Sequence, residues 1–179
     1  MQNDRKLYLY IAMSLDGYIA GKNDDLSFLT PMEKEGEDYG YAEFIKSIDT
    51  IIIGRKTYDK IMSMGIPYPS GDQQVYVITR TPRETEGKFT FYNNSPTSLV
   101  EELKSKPGQN IYCDGGAEIV TELLKHHLID EIKVSIIPIL LGDGIRLFKD
   151  GRPEQKLIFK SSKPYEKGLV QLHYSVVRN

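Results

Sequence analysis

Glycine, hydroxyl and cationic residues follow three apolar segments of the chain and are suited to binding phosphate. Gly54-Arg55-Lys56-Thr57 ends one segment, Thr79-Arg80 ends another, and Gly115-Gly116-Ala117 follows a third. Arginine donates hydrogen bonds to phosphate in pairs, and glycine lets a ligand approach the backbone closely. In open α/β sheets, ligands bind beyond the carboxyl ends of the strands, where helix N-termini offer free N–H groups. Together the three segments predict a site for a ligand with several phosphates.

Each segment has a simpler interpretation when it is taken alone. Two adjacent glycines are typical of a tight turn, and adjacent cations such as Arg55 and Lys56 are usually solvated at the surface. The sequence contains neither GxGxxG nor GxxxxGK[ST], so it predicts neither a standard Rossmann dinucleotide site nor a P-loop. Only the placement of all three segments at strand ends favours a phosphate site.

The composition excludes several other classes of protein. The 179 residues are 40% hydrophobic and 27% charged with a net charge of -2, so the basic stripe of a nucleic-acid-binding protein is not expected. The longest apolar run, Ile136–Leu141, contains Pro138 and is too short to span a membrane. A single cysteine, Cys113, forms no internal disulfide. We therefore expect a soluble cytoplasmic protein.

Apolar periodicity predicts an alternation of strands and helices. The predicted strands are Lys6–Met13, Asp49–Ile53, Gln74–Thr79, Phe89–Tyr92, Asn110–Cys113 and Glu131–Ile137. Helices are predicted over Tyr41–Ile48 and Lys56–Met62, after the cap Ser95-Pro96, and after Gly116. A long loop that can include one helical turn covers Asn23–Gly40, and a second loop covers Met64–Asp72. Two alternating strands, Lys156–Ser161 and Leu169–Val177, form a terminal hairpin. The prediction is a single α/β domain over residues 1–179, with three α/β/α layers, a mixed, mostly parallel sheet and a C-terminal antiparallel hairpin.

Three motifs resemble those of a known enzyme superfamily. They are YIAMSLDGYIAG (Tyr10–Gly21), DTIIIGRKTYDKI (Asp49–Ile61) and CDGGAEIVTELLKHHLIDEIKVSIIPILLGDGIRLF (Cys113–Phe148). The chain is similar to the dihydrofolate reductase superfamily, and most similar to the reductase domain of the bifunctional riboflavin-biosynthesis deaminase/reductase. This resemblance implies a dihydrofolate-reductase-like fold, NADPH as hydride donor, a small heterocyclic substrate and a homodimer.

The resemblance also implies roles for individual residues. Ala12 and Ile19 match positions beside the nicotinamide. The phosphate-binding positions are matched by Gly54, Arg55, Lys56 and Thr57 at a helix start, and by Thr79 and Arg80 at the 2′-phosphate pocket. Gly115 and Gly116 match a glycine pair joined by a cis peptide bond, and the cofactor-binding set is completed by the start of the next helix, Ala117, Glu118 and Ile119.

The residue that supplies a proton to the substrate is not identified by the resemblance. Dihydrofolate reductases use a carboxylate on the first helix after a tryptophan-containing loop, but this chain has no tryptophan. Counting back from the Gly54 strand places Asp38 near that position, whereas reading forward from Phe28 places Glu33 there. Either carboxylate is equally well explained as a solvated charge in an acidic loop. Ser135 matches a hydroxyl that faces the substrate, although a hydroxyl satisfied within the sheet explains it nearly as well.

Two classes of function follow from these observations. The first is an NADPH-dependent reductase, most like the 5-amino-6-(5-phosphoribosylamino)uracil reductase of riboflavin biosynthesis, with dihydrofolate reductase as its competitor. The missing tryptophan and the segment PILLGDGIRLF favour the riboflavin-type reductase. The second is a non-catalytic NADPH-binding dimer module, which the lack of an evident proton donor leaves open. NADPH oxidation with either substrate distinguishes the two classes.

Overall fold

The protein, described here by a computed structural model, is built on ten strands and four α-helices within residues 4–65, 67–68 and 71–178. The strands are β1 (Leu7–Ser14), β2 (Tyr18–Ala20), β3 (Ile48–Gly54), β4 (Gln74–Ile78), β5 (Phe89–Tyr92), β6 (Asn110–Gly115), β7 (Glu131–Ile137), β8 (Ile145–Arg146), β9 (Leu157–Pro164) and β10 (Val170–Val176). The helices are α1 (Tyr41–Ile45), α2 (Arg55–Ser63), α3 (Pro96–Ser105) and α4 (Ala117–Lys125).

Eight of the strands form one mixed sheet in the order β5-β4-β3-β6-β1-β7-β10-β9. The first six are parallel to their neighbours, while β10 pairs antiparallel with both β7 and β9. Parallel neighbours need crossover connections, and these carry the helices. The carboxyl ends of β3, β6 and β1 consequently lie side by side at one edge of the molecule.

Helices cover both faces of the sheet because its central strands are apolar on both sides. In β3, Ile52 packs in a core with residues of α3 and α4, whereas Ile51 and Ile53 pack in a second core with α1 and α2. The N-cap predicted for α3 is present, since the Ser95 hydroxyl accepts a hydrogen bond from the Thr97 amide. The predicted three-layer, mostly parallel α/β class with its terminal hairpin is confirmed.

The structure differs from or adds to the local predictions in a few places. The helix predicted over Tyr41–Ile48 ends at Ile45, because Ile48 is buried as the first residue of β3. The segment Asn23–Gly40, predicted as a long loop that can include one helical turn, contains the 3-10 helix Ser27–Met32, whose Phe28 and Met32 are buried. A small second sheet pairs β2 with β8 and was not predicted. The loop predicted over Met64–Asp72 lies partly outside the described residues.

The C-terminal hairpin forms one edge of the sheet, and no further strand of the described chain pairs with it. Strand β9 is the edge, and all eight of its residues are exposed.

Within the described ranges, no helix is long and apolar enough to cross a membrane.

Candidate functional site

The N-termini of two helices meet at the edge where β3 and β6 end. Gly54 is the N-cap of α2 and Gly116 is the N-cap of α4. At neither helix does the cap residue accept a hydrogen bond through a side chain. A Cβ atom on Gly54 would lie 3.4 Å from the Gly116 nitrogen, so the two caps are in contact. Uncapped N–H groups and the positive ends of two helix dipoles favour an anion at this position.

The glycine pair between β6 and α4 is held tightly by its neighbours. The peptide bond from Gly115 to Gly116 is cis, as predicted. Gly115 has φ +99°, and a Cβ atom there would lie 3.3 Å from Ile11 Cδ1. A Cβ atom on Gly116 would lie 3.0 Å from the Thr57 hydroxyl. Larger residues would therefore displace the Ile11 or Thr57 side chain, and at Gly115 the positive φ would also be strained, which explains why glycine occupies both positions.

Four of the five side chains predicted to bind phosphate differ in how available they are to a ligand. Arg55 is exposed and pairs with Asp59 at 2.6 Å. Lys56 and Arg80 are exposed and have no ion-pair partner in the part of the chain that the structure describes. The hydroxyl of Thr79 accepts a hydrogen bond from the Thr81 amide and donates to the Thr81 carbonyl, so it shapes the turn that presents Arg80.

The other predicted cofactor residues differ in exposure. Ala117 and Ile119 are buried on the inner face of α4, whereas Glu118 is exposed and lies 4.0 Å from Lys149. Ile19 is partly buried against the same core as Ile119. Ala12, on β1, lines the cavity described next. Their contacts with a cofactor stay a prediction.

A cavity of ≈ 340 Å³ opens beside the glycine pair on the face of the sheet that carries α1. It lies between the Ser27–Met32 helix and the second halves of β1, β6 and β7. The three residues predicted for the substrate side, Glu33, Asp38 and Ser135, all line it. The structure thus brings together residues that are about 100 positions apart in the sequence, although their catalytic roles stay predictions.

Sequence reasoning missed a fourth polar residue of this cavity, Asp114. Its carboxylate accepts hydrogen bonds from the hydroxyls of Tyr68, at 2.5 Å, and Tyr112, at 2.6 Å. Burial raises the pKa of Asp114 above its usual range, and the two tyrosine hydrogen bonds only partly oppose that effect. The available signal was a carboxylate at the end of the apolar strand Asn110–Cys113, directly before the glycine pair.

The two carboxylates proposed from the sequence have different surroundings. The side chain of Asp38 accepts hydrogen bonds from the amides of Gly40, at 2.9 Å, and Ala42, at 2.8 Å. These backbone hydrogen bonds lower the pKa of Asp38, which favours the ionised form. Glu33 is exposed, and its carbonyl oxygen accepts from Lys167 Nζ at 2.6 Å. Asp38 is consequently a poor proton donor at neutral pH.

Ser135 belongs to a buried hydrogen-bond network at the cavity wall. The amide of Gln171 donates to the Ser135 hydroxyl at 3.1 Å, and Gln171 also lies within hydrogen-bond distance of the Tyr10 hydroxyl and the Tyr39 carbonyl. Burial raises the pKa of Tyr10 to about 12, so its hydroxyl stays protonated. The network holds Ser135 and two cavity tyrosines in fixed positions.

The side chain of Asp16 connects two loops, the turn that follows β1 and the loop that precedes β8. Its carboxylate accepts from the Ser14 hydroxyl at 2.6 Å, from the Leu141 amide at 3.0 Å and from the Gly142 amide at 2.7 Å. These hydrogen bonds, led by that of Ser14, lower the pKa of Asp16 to about 2. The turn after β1 and the loop before β8 are therefore coupled through one ionised carboxylate.

Comparison with known proteins identifies the family of this chain. The family described as RibD C-terminal domain matches residues 5–171. The chain belongs to this family. Over 172 residues it is 40% identical to the uncharacterized protein YwjB of Bacillus subtilis (strain 168), and the match spans 96% of this chain and 98% of YwjB.

Solved structures of related proteins share the fold. A putative riboflavin biosynthesis protein from Shewanella sp. PV-4 superimposes with a TM-score of 0.88 and 29% identity, over 97% of this chain and 99% of the other. Dihydrofolate reductase from Enterococcus faecalis, solved in complex with NADP(H) and RAB-propyl, superimposes with a TM-score of 0.69 and 15% identity over 98% of both chains. The dihydrofolate-reductase-like fold expected from the sequence is confirmed.

Proposed function

We propose that the protein is an NADPH-dependent reductase of the riboflavin-pathway type, which transfers a hydride to a C=N bond of a small heterocycle. One observation carries the proposal: the uncapped helix N-termini at Gly54 and Gly116 adjoin the cavity that contains Asp114. A phosphate-binding edge and a protonatable carboxyl group therefore lie on consecutive residues of one chain segment.

The residues at this edge fit a phosphorylated dinucleotide. The first N–H groups of α2 and α4 and the Thr57 hydroxyl are placed to bind a pyrophosphate, since they surround the cis glycine pair. Lys56 and Arg80 are available for a 2′-phosphate because neither pairs with a carboxylate among the described residues. When bound, NADPH would supply the hydride. Gly115 has no side chain, so a ligand can approach the backbone closely at this position.

Asp114 is our candidate for the proton donor. Reduction of C=N adds a hydride to carbon and a proton to nitrogen, so the site needs a group that is protonated near neutral pH. Burial raises the pKa of Asp114, whereas backbone hydrogen bonds lower that of Asp38. The Tyr68 and Tyr112 hydroxyls hold the Asp114 carboxyl group in place and stabilise the carboxylate that remains after proton transfer. Asp114 therefore replaces Asp38 and Glu33 in our assignment.

The test is to follow loss of NADPH absorbance with a panel of substrates in wild type and two variants. The panel contains 5-amino-6-(5-phosphoribosylamino)uracil, its dephosphorylated counterpart and dihydrofolate. We expect Asp114→Asn to lower kcat by about 10²- to 10⁴-fold, the usual contribution of a general acid. Asp38→Asn is the matched control, because it removes a carboxylate from the same cavity without removing a proton donor.

Calorimetric titration with NADPH accompanies the kinetics and shows that both variants fold and bind the cofactor. A wild-type kcat in Asp114→Asn would remove Asp114 from the mechanism. If wild type binds NADPH and reduces none of the panel, the non-catalytic module is favoured instead. If NADPH does not bind, the proposed cofactor is wrong.

We also propose that two copies associate through the open side of the sheet. Leu157, Ile158 and Phe159 of the edge strand β9 are exposed by 45%, 55% and 57%. Beside them lies a second cavity of ≈ 320 Å³, lined mainly by apolar side chains of β7, β9 and β10. A run of exposed apolar residues on an edge strand is rarely left uncovered in a monomer. Sedimentation equilibrium is expected to give twice the chain mass for wild type and for Lys160→Ala, and a lower mass for Phe159→Lys. A monomeric wild type contradicts the proposal.

A further inference from the structure

We infer that the cavity beside the glycine pair accepts an unphosphorylated heterocycle, neutral or cationic, and rejects a substrate that carries a phosphate group. The inference rests on the proposed reductase function and narrows its substrate class. It separates this protein from a reductase of 5-amino-6-(5-phosphoribosylamino)uracil, since that compound would bring a phosphate into the cavity or to its rim.

The charges of the cavity wall carry the inference. Three acidic residues line it, Glu33, Asp38 and Asp114, of which Asp114 is protonated in the proposed mechanism, and no described lysine or arginine lines it. Asp38 is held in its ionised form by two backbone hydrogen bonds. Phosphate-binding sites instead offer arginine, lysine or free backbone N–H groups, because a phosphate carries up to two negative charges. A phosphorylated substrate would therefore meet like charge.

The backbone N–H groups at the cavity mouth do not offset the negative charge of the acidic side chains. Helix α1 begins at the rim, and a free helix N-terminus there would attract an anion. However, the Asp38 carboxylate already accepts from the Ala42 amide in the first turn of α1, and it also accepts from the Gly40 amide. The N–H groups that could have bound a phosphate are thus occupied by a carboxylate of the protein itself.

The lysines near the rim are directed to other groups. Lys34 Nζ pairs with Glu166 at 2.5 Å, and Lys167 Nζ donates to the Glu33 carbonyl at 2.6 Å. Lys163 Nζ lies 4.5 Å from the centroid of the Tyr165 ring.

Lys133 Nζ lies 5.1 Å from the centroid of the ring of Tyr10, a residue that lines the cavity. Of these four lysines, Lys163 and Lys133 have side chains that form no hydrogen bond or ion pair among the described residues, so substituting them tests the inference most directly.

The remaining wall suits a flat ring system. Four tyrosines line the cavity: Tyr10, Tyr39, Tyr41 and Tyr112. Aromatic side chains provide stacking surfaces, and the ring edge of a heterocycle with N–H groups can donate to the carboxylates. The volume of ≈ 340 Å³ is at the lower end of the range for small-molecule sites. These features fit a one- or two-ring heterocycle with a short neutral substituent.

The test compares two ligands that differ only in the phosphate group: 5-amino-6-(5-phosphoribosylamino)uracil and its dephosphorylated counterpart. Each is titrated calorimetrically into the full-length protein, with and without NADP⁺. We expect the dephosphorylated compound to bind roughly tenfold tighter or better, because like charges at a binding interface disfavour the wrong ligand. We expect Glu33→Gln to reduce this ratio, whereas the neighbouring Glu35→Gln, which removes a carboxylate outside the cavity lining, leaves it unchanged.

Two results would overturn the inference. One is tighter binding of the phosphorylated compound, especially if Lys133→Gln or Lys163→Gln then weakens it. The other is no binding of either compound. Failure of the proposed reductase function gives a different result, in which the dephosphorylated compound binds preferentially but NADPH is not consumed.

Discussion

Replacing Arg80 by alanine tests the proposed cofactor site most directly. Arg80 follows β4, is exposed, and has no ion-pair partner in the described part of the chain, so its guanidinium group is available to a 2′-phosphate. A hydrogen bond to a charged group contributes about 1.5–3 kcal/mol, which corresponds to about a 10- to 150-fold change in affinity. We therefore expect Arg80→Ala to weaken NADPH binding by that factor and to leave NADH binding unchanged, since NADH lacks the 2′-phosphate.

Arg55 provides a comparison with Arg80 because, unlike Arg80, it already forms an ion pair. Its guanidinium group pairs with Asp59 on α2, and both side chains are nearly half exposed. A pair of this kind on a helix surface is worth about 0.3–0.5 kcal/mol, so Asp59→Ala would free Arg55 and tighten NADPH binding by roughly twofold at most. Arg55→Ala is expected to cost less than Arg80→Ala, because binding through Arg55 first requires this pair to break.

The assay is calorimetric titration of NADPH and NADH into wild type and the three variants at one fixed ionic strength, because salt screens such contacts. Two outcomes would refute the reasoning. Equal affinity of wild type for NADPH and NADH would mean that no 2′-phosphate pocket exists. Full NADPH preference in both arginine variants would place the pocket elsewhere.

Two further predictions concern the loops and the proton donor. Gly144→Ala should lower the thermal midpoint well below that of Gly151→Ala. Both glycines have positive φ, but a Cβ atom at Gly144 would lie 2.1 Å from the Ala20 carbonyl oxygen, whereas a Cβ atom at Gly151 would have nothing within 4 Å. Equal midpoints would show that β8 does not need this close approach. Tyr112→Phe removes a hydrogen bond that lowers the pKa of Asp114. If protonated Asp114 is the acid, kcat/KM falls as the pH rises through the pKa of Asp114. Tyr112→Phe should therefore shift this fall to higher pH. A pH profile that is unshifted, or shifted to lower pH, would contradict the assignment of Asp114 as the acid.

Most of the fold follows from local patterns in the sequence. The apolar segment Glu131–Ile137 has the predicted bounds, and Ser95 caps α3 as its hydroxyl and the following proline indicated. Such features depend on neighbours within a few residues, and side-chain alternation and capping report those directly. The bounds of α1 could not be predicted in the same way, because the burial of Ile48 in β3 depends on strands that are distant in the chain.

The candidate cofactor edge was also predictable in part. Gly54, Thr57 and the glycine pair were identified by residue type and by their positions after apolar strands, and the structure brings them into contact. That Arg55 is paired while Arg80 is not could not be read from residue types, because it depends on side-chain geometry along α2 and at the end of β4.

The sequence by itself determined the alternation of strands and helices, the phosphate-suited residues at the strand ends and the glycine pair. Only the tertiary structure decided which carboxylate has the properties of an acid. Asp38 and Asp114 are chemically identical, and their pKa values shift in opposite directions because Asp38 accepts hydrogen bonds from the amides of a helix start while Asp114 loses solvent contact beside two tyrosines. Solvent contact and hydrogen-bond partners are set by chain segments far apart in the sequence, so our proposal of Asp114 as proton donor required the folded structure.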